Sequence, residues 1–549
     1  MKKLSKLLAL LLTILLAVGV FAGCADNNTT TSSTPPPSSA APVDTPSDEP
    51  EGPAYPMLCE EPATLSIWSS FTADYITSMN ESKFTKELAR RTNVTLEFQE
   101  ASSADAATVF SLMLNSQDLT DIVRVAGTYP GGPDKAIEDD VYLRLNELID
   151  EYAPNYKARR TFTDDIARQT ITDAGNIWSI YTLAIPAEYP WCGYALRKDV
   201  LDNRGIALPV TLADWEVALQ AFVDDGIDYP LLFDTSGVNI NSEFLSAWNI
   251  GKEFYSRDGK VEYGYIQPEF KDYLTMMSDW YSRGYLDHEF TSHGISSLMI
   301  YPTLTPVAYA LILNGEAGAG LVTWMPTDNA LVANGSTQIE GFNFAAVSAP
   351  KMNAGDTINF RYNSYETRYP HAITSDCKDP VLALRLMDYL FTDEGMLLVN
   401  YGIEGVSYTM VDGKPRYTDL VLNNPDGVSP RSAATKWSWD DGMGMSDFKR
   451  LWQAYEGTSA EGALNAYNIW YQDSNAYILP QTTMTLDETN EYTPVYSDIR
   501  TYATETIPKF ITGEIPLSGF DAFVSQIKSM KIDRCVEIQQ AALSRYLAR

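Results

Sequence analysis

Between Thr64 and Ala126 the chain switches repeatedly between strand-like and helix-like hydrophobic patterns, and this alternation limits the fold more than any other feature. TLSIWSS (Thr64–Ser70) reads as a strand. ESKFTKELARRTN (Glu81–Asn93) places Phe84 and Leu88 four residues apart, on one face of a helix. VTLEFQE (Val94–Glu100) alternates apolar and polar side chains, the period of a strand. TVFSLMLNS (Thr108–Ser116) reads as a helix and DIVRVA (Asp121–Ala126) as another strand. Strands separated by helices in this way build βαβ units, and βαβ units build a parallel sheet.

The rhythm changes further along. GYALRKDVLDNRGIALPVTLADWEVALQAF (Gly193–Phe222) gives a strand, a short helical piece, a proline turn and a helix. Thr211 and Asp214 have the capping-box spacing at the start of that helix. RDGKVEYG (Arg257–Gly264) and VDGKPRY (Val411–Tyr417) are expected hairpins around Asp-Gly pairs. QPEFKDYLTMMSDWYSRG (Gln267–Gly284) is a helix with Pro268 in its first turn and Gly284 beyond its end. DPVLALRLMDYLFTDEG (Asp379–Gly395) repeats that punctuation. Trp280 and Tyr281 lie on a helix and are expected to pack. The expected fold class is α/β, with two lobes that each hold a sheet and flanking helices, built from interleaved chain segments.

The first residues have a different chemistry. Lys2, Lys3 and Lys6 precede an apolar run, Leu7 to Phe21, and the small pair Ala22–Gly23 leads into Cys24. The run is about fifteen residues, short of the roughly twenty needed to cross a bilayer, and the layout is that of a secretory signal peptide over residues 1–23. Ending on cysteine, it resembles a bacterial lipobox, in which the cysteine is lipidated and becomes the mature N-terminus. Phe21 departs from the usual leucine. The alternatives are an uncleaved anchor helix and a plain secretory signal. Residues 24–62 are rich in Ser, Thr, Pro and acids, too poor in apolar surface to offset their ordering entropy, and are expected to form a disordered tether.

Bulk composition excludes several functions. With 40 basic against 72 acidic residues the formal net charge is −32, which argues against nucleic acid, whose binding requires a basic face. Apolar residues make up 45% of the chain, enough for large cores. Cys59, Cys192, Cys377 and Cys535 are far apart and form no CxxC pair, so zinc spacing is absent. His288, His293 and His371 lack metal-ligand spacing. No cofactor is expected.

The body resembles the sugar-binding group, family 1, of extracellular solute-binding proteins that feed ABC importers. It is most similar to the long lipoproteins that include alginate- and oligosaccharide-binding members. The anchors include FTKELARRTNVTLEFQ, LMLNSQDLTDIV, LRKDVLDNRGIALPVTLADWEVALQAF, EYGYIQPEFKDYLTMMSDWYSRGYLDHEF, LFTDEGMLLVNYGIEGVSYTMVDGKPRY and FITGEIPLSGFDAFVSQIKSM. Their order and spacing run from about Leu65 to Tyr546. The resemblance implies a periplasmic-binding-protein-like fold whose two lobes, joined by hinge strands, close on a ligand in the cleft. The first lobe is expected over 63–190 plus about 358–405, and the second over 191–357 plus about 406–549. It implies an oligosaccharide ligand, ABC transporter permease subunits as partners, and a monomer held by the lipid on Cys24 at the extracellular face of the cell membrane. Many long members carry a calcium loop where this chain reads AFVDDGIDYPLLFD (Ala221–Asp234). Asp224, Asp225 and Asp228 remain, but the alternating oxygen ligands and closing glutamate are missing, so no calcium is expected there.

A sugar presents apolar faces to aromatic rings and hydroxyls to planar polar groups. Candidates at strand ends and in loops are Trp68, Tyr129, Trp191, Tyr194, Arg197, Trp324, Arg361, Tyr362, Tyr365, Glu404, Tyr408 and Trp437. Arg368 and Trp439 lie near them in sequence. The family resemblance implies that the Gly-x-Glu-Gly turn around Glu404 faces the cleft. No catalytic residue is expected. The rival classes are a surface-tethered glycoside hydrolase, which needs two carboxylates across the scissile bond, and a sensor built on the same fold.

Overall fold

The computed structural model describes residues 57–71, 76–102, 105–127, 129–184, 192–293, 306–323, 338–361, 366–439, 442–454, 456, 466 and 468–549. The signal, Cys24 and nearly all of the tether lie outside them. Two sheets organise the chain. The first has the order β2-β1-β3-β11-β4, with β1 Ala63–Phe71, β2 Val94–Ser102, β3 Ile122–Arg124, β4 Ile180–Leu183 and β11 Thr367–Ile373. β1 runs parallel to β2 from Ala63 opposite Val94 to Phe71 opposite Ser102, and parallel to β3. β11 returns from much later in the chain to pair antiparallel with β3 and β4. The parallel βαβ units expected at the start are present.

The helix Lys83–Thr92 shows why this part folds as it does. Ser82 caps it by accepting from the Phe84 amide, Asn93 closes it in the left-handed region at φ 60°, and Phe84 and Leu88 are fully buried. A cap of this kind contributes about 1 kcal/mol. The first core gathers Leu65, Ile67, Phe84 and Leu88 with Ile373, Leu384, Leu398 and, from further on, Trp439 and Met445.

The second sheet has the order β10-β5-β9-β6, from β5 Cys192–Arg197, β6 Tyr229–Leu231, β9 Ala317–Thr323 and β10 Phe344–Ala346. All six residues of β5 are buried. Its period of two splits them between two cores. Cys192, Tyr194 and Leu196 join the larger core with Trp215, Phe244 and Trp280, while Ala195 joins a smaller one with Phe344 and Trp470. The capping box at Thr211–Asp214 opens the helix Leu212–Asp224, and Pro268 opens Pro268–Ser282. The two hairpins form as β7 Phe254–Arg257 with β8 Lys260–Tyr263, and β12 Tyr408–Val411 with β13 Lys414–Tyr417. The larger core is closed by Leu486–Ile511, Phe520–Ser529 and Ile532–Ala548.

The helix expected over Asp379–Gly395 is instead two, Pro380–Tyr389 and Asp393–Tyr401. Thr392 caps the second by accepting from the Gly395 amide at 3.1 Å. Gly395 is therefore a first-turn residue of a new helix, not the end of the old one. A side chain there would meet the Tyr389 carbonyl oxygen at 2.1 Å, so glycine is what lets the second helix start so close to the first.

Among the described residues the chain crosses between the sheets three times. It leaves the first after β4, between Ala184 and Cys192, and returns to it between Arg361 and β11. It crosses again between Met445, in the first core, and Trp470, in the second sheet's smaller core. The last helix ties back. Arg545 and Arg549 both donate to Asp173, at 2.8 and 2.6 Å.

Candidate functional site

All three crossings border one pocket. Cys192 and Gly193 follow the first crossing, Phe360 and Arg361 precede the second, and Trp470 and Asp473 follow the third. Asn241, Glu243 and Ser246 complete the lining from the segment beyond β6. In an α/β sheet, the loops beyond strand ends are where ligands are met.

The segment carrying Glu243 is held under backbone strain. Ser242 and Phe244, its two neighbours, have φ of 62° and 65°, a region that non-glycine residues rarely occupy. What holds them is the Phe244 ring, fully buried and set edge-on to Tyr194, Trp215 and Trp280 at 5.0, 5.1 and 5.3 Å. Locking Phe244 in this nest fixes the direction of the residue before it.

Glu243 is 5% exposed. Burial raises its carboxyl to about 7, against weaker opposition from hydrogen bonds to Asn241 and from the charge of Lys252. The Asn241 amide nitrogen of the main chain donates to Glu243 Oε2 at 3.2 Å, and Asn241 Nδ2 points at Cys192 Sγ, 3.1 Å away. Burial pushes the Cys192 thiol well above its usual range. Asn241 Oδ1 and Ser246 Oγ are buried without a hydrogen-bond partner, and Ser246 is 3% exposed. Burial also raises Asp473, opposed by Lys351, whose ammonium lies 3.3 Å away. Arg361 Nη1 donates to the carbonyls of Tyr471 and Asp473, and its guanidinium lies 4.5 Å from the Tyr471 ring centroid. Trp470 Nε1 donates to the Val347 and Tyr194 carbonyls at 3.1 and 3.3 Å. Its ring lies where a side chain at position 193 would be, 2.4 Å from an added Cβ, so Gly193 is the residue that admits it.

Of the residues expected to hold a ligand, the pocket gathers Tyr194 and Arg361. Tyr194 is 1% exposed, with its ring in the core and its hydroxyl bonded to Asn239. Trp191, Trp324, Tyr362 and Tyr365 lie outside the described residues. Arg197 sits at the other end of β5, about 17 Å from Cys192 at about 3.3 Å per strand residue, in a two-point ion pair with Asp199 at 2.8 and 2.6 Å. Trp68 packs 5.4 Å from Phe110 in the first lobe. Tyr129 donates to Asp139 at 2.9 Å. Glu404 is exposed in a turn whose Gly402 and Gly405 have φ of 89° and 76°. Tyr408 is buried against Tyr401, and Trp437 is half-buried with Lys436 5.8 Å over its ring. Sequence reasoning missed Asn241, Glu243, Ser246, Trp470 and Asp473. The available signal was the polar run TSGVNINSE directly after an apolar strand.

Among the described residues, no three or more His, Cys, Asp or Glu side chains converge as metal ligands. Three acids of the Asp224–Asp234 stretch are engaged elsewhere. Asp224 and Asp225 face Arg204, and Asp234 Oδ1 accepts from Ser236. Melting curves with and without a chelator should coincide. A large downward shift under chelation would contradict this and require a metal site.

A family model described as bacterial extracellular solute-binding protein matches residues 77–397. The polygalacturonan/rhamnogalacturonan-binding protein YtcQ of Bacillus subtilis (strain 168) is 20% identical over 458 residues, covering 81% of this chain and 84% of that protein. A solved structure described as an HMO-binding, ABC-transporter-associated solute-binding protein from Bifidobacterium longum infantis ATCC 15697 superposes with a TM-score of 0.70 at 15% identity, covering 89% of this chain and 99% of the other. The alginate-binding protein AlgQ2, solved without calcium ion, gives 0.63 at 20% identity over 89% of this chain and 99% of that one. At these identities the structures establish the two-lobed α/β fold.

Proposed function

Because this chain belongs to the bacterial extracellular solute-binding proteins, we propose that it captures an oligosaccharide over the mouth of the pocket at the three crossings, a cavity of about 40 Å³ that admits a ligand's hydroxyl groups, and delivers it to the permease of an ABC transporter. The observation that carries the reading is the pocket's unmet polarity beside an anchored indole. A buried hydroxyl (Ser246) and a buried amide oxygen (Asn241) lack partners in the pocket that Trp470 lines. Leaving such groups unpaired costs about 1–3 kcal/mol each, and a sugar hydroxyl would restore that. Relatives named for carbohydrates support the substrate class. The lining comes from the second sheet's side of the crossings, so closure would bring the first lobe over a ligand already seated there, and the ligand would shift that equilibrium by its differential affinity alone.

A thermal-shift screen with glycans tests the reading. A ligand at a hundred times its dissociation constant should stabilise the protein by about 2.7 kcal/mol. No shift with any glycan would count against it. Glu243, held partly protonated near neutrality, and Asp473 both line the pocket, and a glycoside hydrolase also uses two carboxyl groups. The same incubations should therefore be assayed for new reducing ends. None is expected.

The lysines, apolar run and Ala-Gly-Cys sequence support lipidation at Cys24. No described helix is long and apolar enough to cross a membrane. Cys24→Ala should release the protein from the membrane fraction, since the anchoring comes from buried acyl methylenes at about 0.8 kcal/mol each. Retention in the membrane would instead make the apolar run itself the anchor.

A further inference from the structure

We infer that the pocket discriminates by charge, accepting neutral or amino-bearing sugars and rejecting uronates, and that Glu243 sets the choice. This rests on the carbohydrate reading above and adds to it the ligand's chemical class.

The pocket presents acceptors. Glu243 is a carboxylate with 5% exposure, Asn241 Oδ1 is buried and unpartnered, and Ser246 Oγ can take either role. Asp473 adds a second carboxylate, also 5% exposed. The cations nearby are already engaged. Lys351 is paired with Asp473 at 3.3 Å, and Arg361 Nη1 donates to two main-chain carbonyls. Lys252 acts on Glu243 through its charge but does not line the pocket. The unmet acceptor in the site is Asn241 Oδ1, and a ligand that brings a donor would satisfy it.

A sugar hydroxyl brings one, and its bond to a carboxylate is a strong, charge-assisted one. An ammonium on an amino sugar brings three and opposite charge as well. Asp473 is paired with Lys351, so the charge a uronate would meet is that of the buried Glu243, which is complete only above about pH 7. Like charges set together in such a place cost several kcal/mol. Asn241 positions this carboxyl through its main-chain amide, which donates to Glu243 Oε2.

The test is a glycan array on which each oligosaccharide backbone appears in neutral, amino and uronate forms, followed by titration calorimetry of the best binder and its uronate counterpart. At pH 8, where Glu243 is ionised, the neutral or amino form should bind at least tenfold more tightly than the uronate. Glu243→Gln, nearly the same shape without the charge, should lift uronate affinity toward that of the neutral form, with its melting curve as the check on folding. Uronate binding equal to or tighter than neutral would overturn the filter while leaving the carbohydrate reading intact. A loss of both affinities by the same factor in Glu243→Gln would also overturn it. Binding of no glycan in any form would overturn the carbohydrate reading, and the filter with it.

Discussion

Trp470→Ala should lower the unfolding free energy by about 3–5 kcal/mol, the usual cost of truncating a buried tryptophan. Trp470 is 4% exposed and packs with Phe344 and Ala466 on the face of β5 opposite Tyr194. The residues beneath it have no bulk to fill the hole, because they are Gly193 and Ala195. The Val347 carbonyl would also lose the donor it has at 3.1 Å. Trp470→Phe separates the two effects. It keeps a ring over Gly193 and removes only the indole N–H, for about 1–2 kcal/mol. Urea denaturation of both variants measures this. A loss under about 1 kcal/mol for Trp470→Ala would show that the ring is not the wall it is taken to be.

Glu243→Gln should have the opposite sign and a marked pH dependence. The carboxyl sits at about 7 in the fold, against 4.5 for the free group, because burial disfavours its charge. Below about 4.5 it is protonated in both folded and unfolded chains, and the wild type carries no penalty. As pH rises toward 7 the unfolded chain loses its proton first, so folded stability falls. Above 7 the penalty is complete, at about 3 kcal/mol. Glutamine does not titrate. The variant should therefore match wild type near pH 4.5 and exceed it by about 3 kcal/mol at pH 8. The other groups near the site, Cys192, Tyr194, Lys252, Lys351, Arg361 and Asp473, are present in both proteins, so comparison isolates Glu243. Parallel pH profiles would contradict the buried ionisation. A residue that lowers stability at working pH fits the pattern of a functional site better than that of a core.

The difference between what could and could not be read in the sequence is physical. Period and punctuation placed β1, β2, the helix between them, the Thr211 cap and both Asp-Gly hairpins, because those depend on residues within a few positions of each other. The split after Tyr389 was hidden. It depends on how closely a glycine approaches a carbonyl, which no local pattern reports. The site was harder. Ranking aromatics at strand ends selected Tyr194 and Trp68, yet β5 is covered on both faces and Trp68 lies over a helix, so both are core-facing. Glu243 belongs to an aperiodic segment, and its position is set by Phe244 finding a nest of rings from three other elements. Trp470 and Asp473 reach the pocket only after a third crossing, nearly 280 residues beyond Cys192.

The most direct test of the pocket is a crystal structure with the tightest glycan from the array. Sugar density should lie between Trp470 and Glu243, with ring hydroxyls within about 2.5–3.0 Å of the Glu243 carboxylate and of Ser246 Oγ. Density confined instead to the Glu404 turn or the Trp68 end of β1, with Ser246 Oγ still unpartnered, would contradict the assignment of this pocket as the ligand site.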